Sequence, residues 1–185
     1  MENKFEKELS FIKDDNIREM TKKMLGYVAP EFFQAPASST GKYHPEYALG
    51  EGGLYRHTCA AVGIAKDIIE LEWIKDKLDD SRRDYIIAAL MLHDIAKSGK
   101  CWESKYTQHA HPMLAAELIR DNIEGDEYSE FVENVCRMIE SHMGQWNWSK
   151  WDRVKLPKPN ELDEFIVHLC DYLASRKYLE YKFEV

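Results

Sequence analysis

Five places in the chain carry the residue types that bind borderline divalent metals: His57, the adjacent pair His93-Asp94, His111, His142 and Asp171. Imidazole nitrogens and carboxylate oxygens are the ligands such ions take. An aspartate among histidines can also bridge two ions through its two oxygens. A two-metal site clamps the attacking and leaving oxygens of a phosphoryl displacement and lowers the pKa of bound water towards about 7. His93-Asp94 stands out because it ends the run Tyr85–Leu92, which is wholly apolar. A buried carboxylate costs several kcal/mol unless it is paired or coordinated. The plainer readings are hydrogen-bonded core histidines, an Asp94–Lys97 ion pair, and pairing of Asp171 with Arg176 or Lys177. They need a separate cause at each position, and the residues alone leave both accounts open.

Other residues invite a substrate role. His109 lies two positions before His111, and His44 sits in a loop rich in Gly, Pro and Ser. Trp146, Trp148 and Trp151, with Lys150, Arg153 and Lys155, could stack a base and neutralise a phosphate, or could pack their loop onto the domain. His44, His109, Trp146, Lys150 and Arg176 are the candidate substrate contacts. His168 shares a helix face with Asp171 at i, i+3 and is a candidate partner for it.

The elements that must position these groups read as helices throughout. Residues 4–26 form one amphipathic helix or a pair, ending near Gly26. Residues 27–53 form a long irregular loop, a type often functional in compact domains. A second helix is expected over 54–77, and a third, opened by a Ser81–Asp84 capping box, runs through the apolar stretch to Leu92. That third helix, apolar all round, should be buried at the centre. Pro112 opens a fourth over 112–123, a fifth spans 127–143, and Asn160 caps a sixth over 161–177. Nothing reads as a strand. The expectation is an all-α bundle with the metal ligands near helix ends, gathered between the helices.

Composition narrows the class. A length of 185 residues suggests one domain, and 44% apolar residues supply a core. The formal charge of −8 opposes a dedicated duplex nucleic-acid binder. No apolar run reaches the roughly 18 residues that a membrane span needs. The N-terminus shows no apolar leader, so secretion is not expected. Cys59, Cys101, Cys136 and Cys170 have no metal-ribbon spacing and read as reduced thiols in a cytoplasmic protein.

The ordered series His57, His93-Asp94, His111, His142 and Asp171 resembles the signature of the HD-domain superfamily of metal-dependent phosphohydrolases. Local context agrees. Gly52-Gly53-Leu54-Tyr55-Arg56-His57-Thr58 resembles the Gly-Gly-Leu-x-x-His-Thr segment of the bacterial exoribonuclease-like branch. Leu92-His93-Asp94-Ile95-Ala96-Lys97 resembles Leu-His-Asp-Ile-Gly-Lys, with Ala96 in place of the usual glycine. His109–Pro112, Ala116–Ile119 and Asp171–Arg176 fit the same branch. The resemblance covers about residues 50–177; residues 1–45 form an N-terminal helical region and the start of the loop, within a single domain over 1–185.

The resemblance implies that His57, His93, Asp94 and Asp171 hold a first ion, with Asp94 bridging, and that His111 and His142 complete a second site. It also implies that Lys97 contacts a phosphate or orients Asp94, and that a metal-activated water is the nucleophile. The ions are one or two divalent metals, with Mn, Ni, Fe, Mg and Zn all open. The expected activity is hydrolysis of a nucleotide, cyclic nucleotide or short oligonucleotide phosphoester. The same ligand set also serves di-iron oxygenases of this superfamily, and a non-catalytic regulatory module is a third option. No membrane partner is expected, and the sequence leaves the oligomeric state open.

Overall fold

The apolar period of the chain dictates eight helices among the described residues: α1 (Glu6–Leu9), α2 (Asp15–Leu25), α3 (Gly53–Ile69), α4 (Glu72–Lys75), α5 (Asp80–Leu92), α6 (His111–Asn122), α7 (Ser129–Ser141) and α8 (Leu162–Ala174). The structure, a computed structural model, describes residues 4–179; residues 1–3 and 180–185, part of the expected single domain, lie outside the described residues. No strand occurs among the described residues, which contain only two isolated bridges, Lys97 with Gly99 and Trp148 with Lys155. The architecture is all-α, as the periodicity predicts. No helix among these residues is long and apolar enough to cross a membrane.

Helix α5 is the axis. Every residue from Tyr85 to Leu92 is buried, and α2, α3, α7 and α8 all pack against it. Removing so much apolar surface from water is the main stabilising term of the fold. Its start corrects the sequence reading: the cap is Asp79, whose carboxylate accepts from the Arg82 backbone N–H at 2.7 Å, rather than Ser81. Asp84 has a different use. Its Oδ2 accepts from the backbone N–H groups of Lys13 (3.0 Å) and Asp14 (2.7 Å), pinning the α1–α2 corner to the central helix. In that corner Phe5 packs against the rings of Phe32, Phe33 and Tyr55.

The helix expected over 54–77 breaks. α3 stops at Ile69, and the single-turn α4 follows Leu71. On one straight helix Ile74 and Leu78 would stand roughly 140° and 180° around from Ile69. All three are buried, so the chain must turn to bring them to one side. α8 is capped by Glu161 rather than Asn160, because the Glu164 carboxylate gathers the N–H groups of both Glu161 (2.8 Å) and Asn160 (2.6 Å). α7 is shorter than expected, with a 3-10 turn at Asp126–Tyr128 ahead of it.

The long segment before α3 holds two 3-10 turns, Pro30–Phe33 and Glu46–Ala48. It is locked onto α3 at Gly53, where a Cβ would sit 2.2 Å from the Ala48 carbonyl oxygen. Only glycine lets the two backbones approach this closely. The contact fixes the first turn of α3 and so places His57.

Candidate metal centre

Five helices deliver the six residues to one point. His57 comes from α3, His93 caps the C-terminus of α5 with Asp94 next to it, His111 opens α6, His142 caps the C-terminus of α7, and Asp171 lies in α8. His57, His93, Asp94, His111 and His142 are each at most 2% exposed. The Asp171 side chain, at 22%, is the most accessible of the set. Asp171 pairs with neither Arg176 nor Lys177; its Oδ1 lies 2.9 Å from His57 Nε2 and 3.6 Å from His93 Nε2.

Three of the histidines share one local device. The Nδ1–H groups of His93, His111 and His142 donate to the carbonyls of Leu90, Gln108 and Ile139, each at 2.7 Å. A carbonyl only accepts, so Nδ1 keeps its proton, and whenever such a ring is neutral its lone pair lies on Nε2, facing the cluster. Those lone pairs converge. His111 Nε2 and His142 Nε2 lie 3.2 Å apart, and His111 Nε2 is 3.1 Å from Asp94 Oδ1. The other oxygen of Asp94, Oδ2, is 3.3 Å from His93 Nε2 and 2.5 Å from Lys97 Nζ.

Buried polar atoms without hydrogen bonds are rare in folded proteins. Here they concentrate: His93 Nε2, Asp94 Oδ1, His57 Nδ1, Thr58 Oγ1, His44 Nδ1 and His109 Nε2 make none among the described residues. Each belongs to the cluster, lies within two residues of it or, for His44, sits with its ring 5.6 Å from that of His57. Three overlapping triads have ligand atoms within 4.8 Å of one another: His57/His93/Asp94, His93/His142/Asp171 and Asp94/His111/His142. The nitrogen and carboxylate donor set fits a divalent cation of the zinc, manganese, nickel or iron type.

The electrostatics have the same pattern. Burial alone would lower the pKa of His93, but Asp94 and Asp171 outweigh it and push the value up to about 10. Burial also opposes the charged forms of Asp94 and Asp171, yet Lys97, His93 and His111 around the first and His57 and His93 around the second hold both well below the ordinary carboxylate range. Burial, then the neighbouring His93 and His111, lowers His142 to about 3. Burial and His57 lower His44 to about 4.

The candidate substrate contacts divide. His44 stands over His57, and His109 Nε2 is buried without joining a triad. Trp146 and Arg176 meet in an aromatic group with Tyr43 and Tyr172. Lys150 lies elsewhere, its ammonium 4.6 Å from the centroid of the exposed Trp151. His168 does hold a cluster residue, but it is His142 rather than Asp171: its Nδ1–H donates to the His142 carbonyl at 2.7 Å. Tyr43 and Tyr172 escape the sequence reading, although one precedes His44 and the other follows Asp171 directly.

The profile of the HD domain family matches residues 54–176. The chain is 29% identical over 175 residues to the 3′-5′ exoribonuclease YhaM of Bacillus velezensis, covering 89% of this chain and 50% of that protein. YhaM of Bacillus subtilis gives the same 29% over 175 residues, with the same coverage. The dihydroneopterin 2′,3′-cyclic phosphate phosphodiesterase of Methanocaldococcus jannaschii is 28% identical over 153 residues, covering 77% of this chain and 52% of that protein. The chain thus spans about half the length of the curated relatives it matches. No solved structure matches it.

Proposed function

This chain belongs to the HD domain family, and on that premise we propose that it is a metal-dependent phosphohydrolase acting on a nucleotide, cyclic nucleotide or short oligonucleotide phosphoester. The observation that carries the reading is the two-sided use of Asp94, with Oδ2 beside His93 Nε2 at 3.3 Å and Oδ1 beside His111 Nε2 at 3.1 Å. A carboxylate in that position can serve an ion on either side. The ligands of the proposal are His57, His93, Asp94 and Asp171 for one ion and His111 and His142, sharing Asp94, for a second. Relatives named for an exoribonuclease and for a cyclic phosphate phosphodiesterase make a phosphodiester the first substrate to try.

Bound divalent ions supply Lewis acidity, lowering the pKa of a water molecule and neutralising charge on phosphoryl oxygens. The protein's own part is to hold the donors rigid. Carbonyls fix the ring planes of His93, His111 and His142, and Lys97 holds Asp94 while offsetting its charge. Burial of five of the six residues keeps bulk water from screening the site, and the more accessible Asp171 marks the side from which a phosphate enters. The net charge of −8 favours small substrates over long polyanions.

Metal analysis of the purified protein, followed by a screen over nucleotides and phosphodiesters with Mn²⁺, Ni²⁺, Mg²⁺ and Zn²⁺, tests the reading. Metal-dependent release of product supports it. A mixed-valent di-iron signal without phosphatase activity overturns it in favour of oxygenase chemistry.

A further inference from the structure

Beside the cluster, four side chains form a face that the holding of a metal leaves unused. The rings of Trp146 and Tyr172 stack with centroids 5.6 Å apart and planes 16° from parallel. The Arg176 guanidinium lies over both, 4.3 Å from the Tyr172 centroid and 5.7 Å from that of Trp146, and 5.5 Å from the ring of Tyr43. Its Nε donates to the Tyr172 carbonyl and Ser175 Oγ, and its Nη2 to Ser175 Oγ. Among the described residues Nη1 has no acceptor and the guanidinium has no carboxylate partner.

The face is joined to the metal ligands on three segments. Tyr172 follows Asp171 directly. Trp146 follows His142 by four residues and lies 6.2 Å, ring to ring, from His168, which in turn holds the His142 carbonyl. Tyr43 precedes His44, whose ring faces His57, and its own carbonyl accepts from the Lys177 N–H at 2.7 Å. The platform is thus tied to the segments that carry Asp171, His142 and His44. Tyr43 and Trp146 remain 52% and 44% exposed, so part of each ring is open to a ligand from solvent.

Parallel rings with a guanidinium beside them suit a planar, electron-rich heterocycle bearing a nearby anion. Such rings stack on aromatic side chains whatever their edge pattern, and arginine adds cation–π attraction and phosphate hydrogen bonds. We propose that the face of Trp146, Tyr172 and Arg176, edged by Tyr43, binds the planar heteroaromatic ring of the substrate and so makes the site select ring-bearing over ring-free phosphoesters. This rests on the hydrolase reading for its phosphate, but not for its ring. Lys150 takes no part in it.

The test compares adenosine 2′,3′-cyclic phosphate with 1-O-methylribose 2′,3′-cyclic phosphate, the same ester without a base, in wild type and in the Trp146→Ala and Trp146→Phe variants. With Mn²⁺ bound, the wild type should prefer the base-bearing ester in kcat/KM. Trp146→Ala should cut that preference about tenfold, the loss of one stacking contact, and Trp146→Phe should restore most of it. The second arm is calorimetric binding of the adenosine ester to EDTA-stripped protein, where turnover is absent; Trp146→Ala should weaken it by a similar factor. An unchanged preference or an unchanged affinity in Trp146→Ala overturns the platform. Should neither ester turn over with any metal while stripped protein binds the adenosine ester through Trp146, the hydrolase reading falls and the platform stands.

Discussion

His111 and His142 face each other through their Nε2 atoms at 3.2 Å, while the Nδ1–H of each is committed to the backbone carbonyl three residues earlier. Wherever both Nε2 atoms lack a proton, the two lone pairs face each other and repel. The contact becomes favourable when a cation or an added proton lies between the rings. The C-terminus of α7 and the first turn of α6 hold this geometry.

Adding a divalent ion to EDTA-treated protein should therefore stabilise it. At a hundredfold excess over Kd the gain is about 2.7 kcal/mol, or roughly 5–10 °C in melting temperature for a chain of this size. Differential scanning calorimetry measures it. His111→Ala should reduce the shift, and a shift of full size in that variant would remove His111 from the ligand set.

Binding should also release a proton. His93, pushed up to about 10 by Asp94 and Asp171 against the effect of burial, carries a proton at pH 7 in metal-free protein. A ligand nitrogen must give that proton up. Calorimetric titration in buffers of different ionisation enthalpy should show release of about one proton per chain near neutral pH.

The pH dependence of stability follows with two signs. His93 has a folded pKa raised from 6.5 to about 10, so its contribution to the metal-free fold is full below pH 6.5 and is lost as pH climbs through about 10. His142 is lowered to about 3, so keeping it neutral costs stability as pH falls from 6.5 towards 3. Thermal melts of stripped protein should decline on both sides of about pH 6.5, and bound metal should flatten the alkaline limb between pH 7 and 9.

Lys97 touches Asp94 at 2.5 Å and belongs to no triad. Its replacement in Lys97→Gln should leave metal stoichiometry intact and lower turnover about 10- to 100-fold, the usual cost of losing a group that orients a ligand. Metal analysis and rate measurements on one preparation decide this. Unaltered kcat would deny Lys97 any orienting role.

Gly144 combines a φ of +55° with a site where a Cβ would sit 2.2 Å from the His168 ring. Gly144→Ala should cost about 1–3 kcal/mol in stability through strain and the displaced ring. It should also weaken metal binding, because His168 holds the carbonyl of His142. Chemical denaturation and metal titration read the two effects separately.

The metal candidates are legible in the sequence through their residue types, histidine and aspartate, and their order along the chain. His93-Asp94 after Tyr85–Leu92 is the clearest, and its burial is what α5 imposes. The α5 core is legible from the apolar run itself. The cap of α8 is not, since it depends on the Glu164 carboxylate reaching back three and four residues to the backbone N–H groups of Glu161 and Asn160. The α3–α4 break is hidden too, because it arises from burying Ile69, Ile74 and Leu78 together, a demand of tertiary packing rather than of local pattern. Carbonyl partners of His93, His111 and His142 are backbone atoms, which no residue type announces. The platform at Tyr43, Trp146, Tyr172 and Arg176 joins residues far apart in the chain, so only part of it could be anticipated.

If Asp94 organises a metal centre that hydrolyses phosphoesters, its loss must end turnover while the helices stay intact. The most direct measurement is the Mn²⁺- or Ni²⁺-dependent hydrolysis of a generic phosphodiester by wild type and by Asp94→Ala, with circular dichroism showing that the helical fold persists. Wild type should turn over, and the folded variant should not. Full activity in a folded Asp94→Ala protein would contradict that role.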